Sequence, residues 1–131
     1  MVSQKNIWRS AFFAVFSALL ATGAMAHHGW AWTTGKNIRL TGLIEEARLG
    51  NPHGVLKVNV NDEMWTVEVG QPWRNERAGL KDADFAKGTE MTFFGEPSAN
   101  IEDRRLKVER LELRGKMYEL YPRRNRRWKA C

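Results

Sequence analysis

The sequence has 131 residues, a formal net charge of +6, 43% hydrophobic residues and one cysteine, Cys131. A chain of this size holds one domain around one core, and a lone cysteine excludes an intramolecular disulfide and leaves no multi-cysteine metal signature. There is no phosphate-binding glycine loop and no serine or cysteine nucleophile motif.

Residues 1–26 read as a cleavable signal peptide. Lys5 and Arg9 stand without an acid, residues 11–20 are almost entirely apolar, and Ala24-Met25-Ala26 places small residues at a peptidase site. The alternative is a retained anchor, but a spanning helix needs about 20 apolar residues, and Thr22 and Gly23 interrupt this run. The expected product is a periplasmic domain, residues 27–131. Loss of Lys5 and Arg9 lowers its formal charge from +6 to +4.

Residues 27–35 are rich in Gly, Thr and Trp without clear periodicity and predict an extended arm that lies on the domain. Ile38, Leu40 and Ile44 alternate with Arg39, Thr41 and Glu45, the period-two pattern of a half-buried strand, with Gly42 available for a bend. Asn51-Pro52-His53-Gly54 matches a type I turn. Leu56, Val58 and Val60 then share a face, and Asn61-Asp62 turns the chain into a strand carrying Trp65, Val67 and Val69. Pro72, Trp73, Arg77 and Leu80 fall at helical spacing with Gly79 as the breaker, and residues 82–85 suggest a second helical turn. Met91 to Phe94 predict a strand ended by Gly95-Glu96-Pro97. Leu106 and Val108 share one parity and Leu111 and Leu113 the other, so the next strand bulges near Glu109-Arg110, and Gly115 turns it back toward Met117.

This order predicts an all-β domain, or β with one short helix. The expected architecture is a small OB-like Greek-key barrel of five to six strands, with a curled open sheet as the alternative.

Cleavage after Ala26 makes His27 and His28 the first two residues. A free amine and the imidazole of the same residue close a chelate ring, and His53 supplies the only further imidazole. An all-nitrogen set with open positions favours copper. Cleavage after Ala24 instead places His27 third, another amine, amide and imidazole arrangement. The candidate metal ligands are therefore His27, His28 and His53. Glu68, on the face opposite Trp65 and Val67, is a further ligand or the acceptor that fixes an imidazole tautomer.

A second reading needs no metal: an OB-like module binding a small ligand or a periplasmic protein through an aromatic face of Trp30, Trp32 and Trp73, with Trp65 in the core. Consecutive Glu45 and Glu46 point to opposite faces and are no acid–base pair. A copper-dependent redox activity stays open, because it needs little beyond the metal. The tail from about residue 122, with Arg123, Arg124, Arg126, Arg127 and Lys129, is either solvated or in weak contact with an anionic surface. Export argues against nucleic acid as the partner. Cys131 reads as a frayed end or an intermolecular pairing site.

Taken together, Ala26-His27-His28-Gly29-Trp30, Thr41-Gly42, Asn51-Pro52-His53, Trp65-Thr66-Val67-Glu68 and residues 88–95 resemble an uncharacterised family of small exported proteins of Gram-negative bacteria, known only as a domain of unknown function. The resemblance covers nearly all of residues 27–131. Gly29 stands where that family usually has Ser, and the basic tail is an addition. It implies periplasmic location and a small β fold, and brings no established activity.

Overall fold

Alternating apolar and polar positions build six strands, with one helical connection after the third. The strands are β1 (Ile38–Arg48), β2 (Val55–Val60), β3 (Glu63–Glu68), β4 (Glu90–Pro97), β5 (Arg105–Leu113) and β6 (Lys116–Glu119). Between β3 and β4 lie the helix α1 (Pro72–Ala78) and a 3-10 turn (Asp82–Phe85). The computed structural model describes residues 29–124. Residues 29–32 form a turn in a unit of their own, and residues 33–124 belong to the barrel unit.

The sheet order is β3-β2-β1-β4-β5-β6, and a parallel pairing of β3 with β5 closes the first five strands into a barrel. This is the five-stranded Greek-key closure expected of an OB barrel, with β6 as an added strand, and the open-sheet alternative falls. The inward residues form one core, in which Ile44, Leu56, Val58, Val67, Phe93, Leu106, Val108 and Leu111 are fully buried. Trp65 packs against that core, as its alternation with Val67 requires. Among the described residues, no helix is long and apolar enough to cross a membrane.

Three backbone features decide what the outer face carries. At the β1–β2 connection, Gly54 N–H donates to the Gly70 carbonyl (3.0 Å), not to Asn51, and the Asn51–Pro52 peptide is cis. The type I turn read from Asn51-Pro52-His53-Gly54 is therefore corrected: the segment runs alongside the end of β3 and does not close on itself. Gly95 does not end β4, which continues to Pro97. A side chain there would collide with the Lys107 carbonyl on β5, so glycine permits the close approach of the two strands. The third feature is the bulge read from the parity switch in β5. Phe94 pairs with Arg110 and Gly95 with Val108, leaving Glu109 as the extra residue.

Helix α1 starts at Pro72, where a missing N–H costs nothing, and stops at Gly79 in the left-handed region (φ 100°). Asn75 is buried inside it, a residue that helix interiors ordinarily disfavour. Its amide closes both hydrogen bonds with Gly70, accepting from the N–H (3.0 Å) and donating to the carbonyl (3.1 Å). That clamp fixes α1 against the end of β3.

Candidate functional site

Two regions on the outside of the barrel carry chemistry. The first follows from strand register. Lys107 on β5 pairs with Glu68 on β3 and with Glu96 on β4, so three charged side chains form a row across three strands on the outer face. Such positions normally face water, yet Glu68, Glu96 and Glu109 are only 2–3% exposed. The C-terminal segment covers Glu96 and Glu109. The Glu109 carbonyl, freed by the bulge, accepts from the N–H groups of both Leu120 (2.9 Å) and Tyr121 (3.0 Å). Arg124 then donates to Glu96 (2.6 Å) and to Glu109 (3.1 Å).

Arg124 is not the surface cation that its place in the basic tail suggests: it is an internal clamp between two buried carboxylates. A buried carboxylate must be paired or neutralised, and the segment supplies the pairing. Burial pushes the Glu96 carboxyl up, but hydrogen bonds from Thr33 and Arg124 outweigh it and hold the group below its usual value. Burial pushes the Lys107 ammonium down, against the pull of Glu68. Arg124 is held above its usual value because Glu96 and Glu109 outweigh the opposing effect of burial.

His53 and Glu68 lie at one end of this cluster. His53 Nε2 is 3.2 Å from Glu68 Oε1, and the imidazole is 25% exposed. The same Oε1 accepts from Arg105 through Nε (3.0 Å) and Nη2. Among the described residues Oε2 has no hydrogen-bond partner, and it lies 3.6 Å from Lys107 Nζ. The chain thus brings together two of the proposed ligand positions, but sets two cations on the carboxylate. No group of three His, Cys, Asp or Glu side chains arranged to hold a metal occurs among the described residues. His27 and His28 lie outside them, as do Arg126, Arg127, Lys129 and Cys131.

The second region is a cleft of about 510 Å³ between α1 and the segment from Glu119 to Arg124. Trp73 stands at it, 51% exposed. The neighbouring Arg74 guanidinium lies 4.5 Å from the Trp73 ring centre and 4.1 Å from that of Tyr121, in cation–π contact with both. Arg74 also donates to the Leu120 carbonyl (3.1 Å) and to Gln71 Oε1 (3.2 Å), which ties the helix to the C-terminal segment. Arg77, Arg123 and the carboxylate-bound Arg124 complete the basic lining, and Glu119 is the acid in it. Burial pushes the Tyr121 hydroxyl up, with Arg74 opposing.

Of the aromatic face read from the sequence, Trp73 lines this cleft, while Trp30 and Trp32 belong to the separate unit. Arg74, Arg77 and Tyr121 were not read as site residues. Arg77 sits one turn after Trp73, a spacing taken only as helical. Glu96, Lys107 and Glu109 are missed as well: alternation makes Lys107 a solvent-facing strand position, Glu96 falls in the expected end of β4 and Glu109 in the expected bulge. The one signal for them was the bulge, which indicates an irregular edge without saying what packs on it.

The model of a family of unknown function (DUF6152) matches residues 15–106. A search of curated proteins finds none that matches. Among solved structures, a mutant of TiaS lacking its ZRD, in complex with agmatine, is similar at 15% identity and TM-score 0.47, over 65% of this chain and 26% of that one. The S. pombe Stn1-ten1 complex is similar at 14% identity and TM-score 0.48, over 72% of this chain and 66% of that one. Yeast Stn1 and Ten1 is similar at 13% and 0.44, over 71% and 48%. This chain spans about a quarter of the first of these. No residue role is carried over from them.

Proposed function

The chain belongs to the family of unknown function (DUF6152), and from that premise we propose that it is a binding module that needs no metal, taking a small ligand or a segment of a partner protein on the OB barrel. The observation that carries this reading is the cleft of α1, where a half-exposed Trp73 stands beside a concave space of about 510 Å³. That volume lies within the range of about 300 to 1,000 Å³ typical of ligand pockets. A large aromatic side chain left half in water beside such a space is the kind of anchor that binding surfaces use. The test is amide chemical-shift mapping of chelator-treated protein against a panel of capped peptides and small organic acids. Shifts confined to residues 73–78 and 119–124 are expected. Shifts centred on His53 that vanish with chelator would overturn the reading.

A second reading is favoured by one observation, the 3.2 Å approach of His53 to Glu68. In it the protein binds copper through His27, His28 and His53, and Glu68 orients the His53 ring or joins the ligands. Arg105 and Lys107 beside Glu68 oppose a second cation there, which places this reading behind the first. It expects tight Cu(II) binding that His53→Ala and His27→Ala each abolish. Unchanged affinity in both variants would sink it. Under either reading the protein is exported to the periplasm, and its isolated form should have an intact mass beginning at His27.

A further inference from the structure

We infer that the cleft between α1 and the C-terminal segment selects an acidic peptide segment, a chain in which carboxylates alternate with apolar side chains. The inference rests on the binding-module reading and names the class of its ligand. Its basis is a difference among arginines that lie close together. Arg124 and Arg105 are each hydrogen-bonded to buried carboxylates, so their charge is answered within the fold. Arg74, Arg77 and Arg123 have no carboxylate partner among the described residues. Three guanidinium groups around one concave space leave it short of negative charge.

The geometry of Arg74 sharpens the point. Its plane is held by stacking against Trp73 and Tyr121 and by hydrogen bonds to Leu120 and Gln71. A guanidinium fixed in this way loses little rotamer freedom when it meets an anion. Arg77 and Arg123 are exposed and can each pair a carboxylate bidentately.

Charge alone would admit any anion, and two further features narrow the class. Trp73 offers an apolar face that a simple organic acid would leave uncovered. Glu119 lines the same cleft, and a carboxylate there accepts the N–H groups of a peptide backbone, donors that a phosphate or a simple carboxylate lacks. A nucleic-acid strand needs a continuous cationic track with stacking positions along it, and Glu119 interrupts such a track here. A peptide supplies all three complements together: carboxylates for the arginines, an apolar side chain for Trp73 and N–H donors for Glu119. The sequence beyond Arg124 adds Arg126, Arg127 and Lys129. That composition makes the chain's own tail the wrong sign to be the occupant.

The test is calorimetric titration of the full mature protein, in chelator, with a capped hexapeptide of alternating Glu and Leu, against the same peptide with Gln for Glu. The Glu peptide should bind at least about tenfold more tightly, the scale of one charge-assisted hydrogen bond. Its advantage should shrink as salt rises from about 0.05 to 0.5 M. The double variant Arg77→Gln/Arg123→Gln should remove the advantage, so that the two peptides bind it with equal affinity. Trp73→Ala should weaken both peptides. Equal affinity for the two peptides overturns the acidic class and leaves the module reading standing. No binding of either peptide, with no amide shifts at the cleft, overturns both. Tighter binding of an oligothymidylate of equal charge, competed by neither peptide, replaces the peptide with a nucleic acid.

Discussion

The row of charges under the C-terminal segment and the cleft beside it are built from the same residue types and sit on adjoining parts of one barrel, yet they solve opposite problems. In the first, Glu68, Glu96 and Glu109 are taken out of water and answered by Arg105, Lys107 and Arg124. In the second, Arg74, Arg77 and Arg123 face a cleft with a half-exposed tryptophan. Buried charge that is paired within the fold fixes a conformation; exposed charge without a carboxylate partner among the described residues is available to something outside. The same segment, Tyr121 to Arg124, covers the one and forms a wall of the other.

The comparison can be broken from its structural side first. Arg124→Ala should cost about 3–5 kcal/mol in urea unfolding, the cost of leaving buried carboxylates without their partner. Arg123→Ala, one residue earlier and exposed, should change stability by less than about 0.5 kcal/mol. Equal effects would mean that the segment is not clamped through Arg124. Gly95→Ala ranks next, at about 1–3 kcal/mol by overpacking, because the added methyl meets the Lys107 carbonyl and pushes apart the strands that align Glu96 with Lys107.

Acid provides a finer probe of the same cluster. The Glu96 carboxyl is held below its ordinary 4.5 in the folded protein. Its contribution is therefore fully present above that value and is lost as pH falls through the lower folded value, where the folded state must also take up the proton. Glu96→Gln should lower stability at neutral pH and flatten the acid limb, so that the two unfolding curves converge below pH 4.5. Parallel curves throughout that range would remove Glu96 from the linkage. A modest stability effect is expected at Trp73→Ala, about 1–2 kcal/mol for a large side chain half in water, with still-cooperative thermal unfolding as the check.

Much of the barrel was legible in the residues. Period-two alternation located the inward faces of β1 to β3, Pro72 and Gly79 framed α1, and the parity switch between Val108 and Leu111 located the bulge at Glu109. The turn at Asn51-Pro52-His53-Gly54 was misread because its residues suit a local hydrogen bond, whereas Gly54 has a long-range partner in Gly70. The charge cluster was hidden for a related reason. Alternation tells which face a side chain takes, and says nothing of a segment returning some ten residues later to cover that face. Within the candidate sites, the sequence singles out Glu68 as a ligand or as the acceptor for an unspecified imidazole, and only the fold sets it beside His53; Trp73 is singled out by its aromatic character alone. Arg74 and Tyr121 become partners only through the docking of the segment on the bulge.

The most direct test of the central claim compares His53→Ala with Trp73→Ala for binding of the alternating Glu–Leu peptide in chelator. A metal-independent module centred on the cleft predicts that Trp73→Ala weakens binding by about tenfold or more while His53→Ala binds as the unaltered protein does. Loss of binding in His53→Ala with none in Trp73→Ala would contradict it and move the functional centre to the histidine end of the barrel.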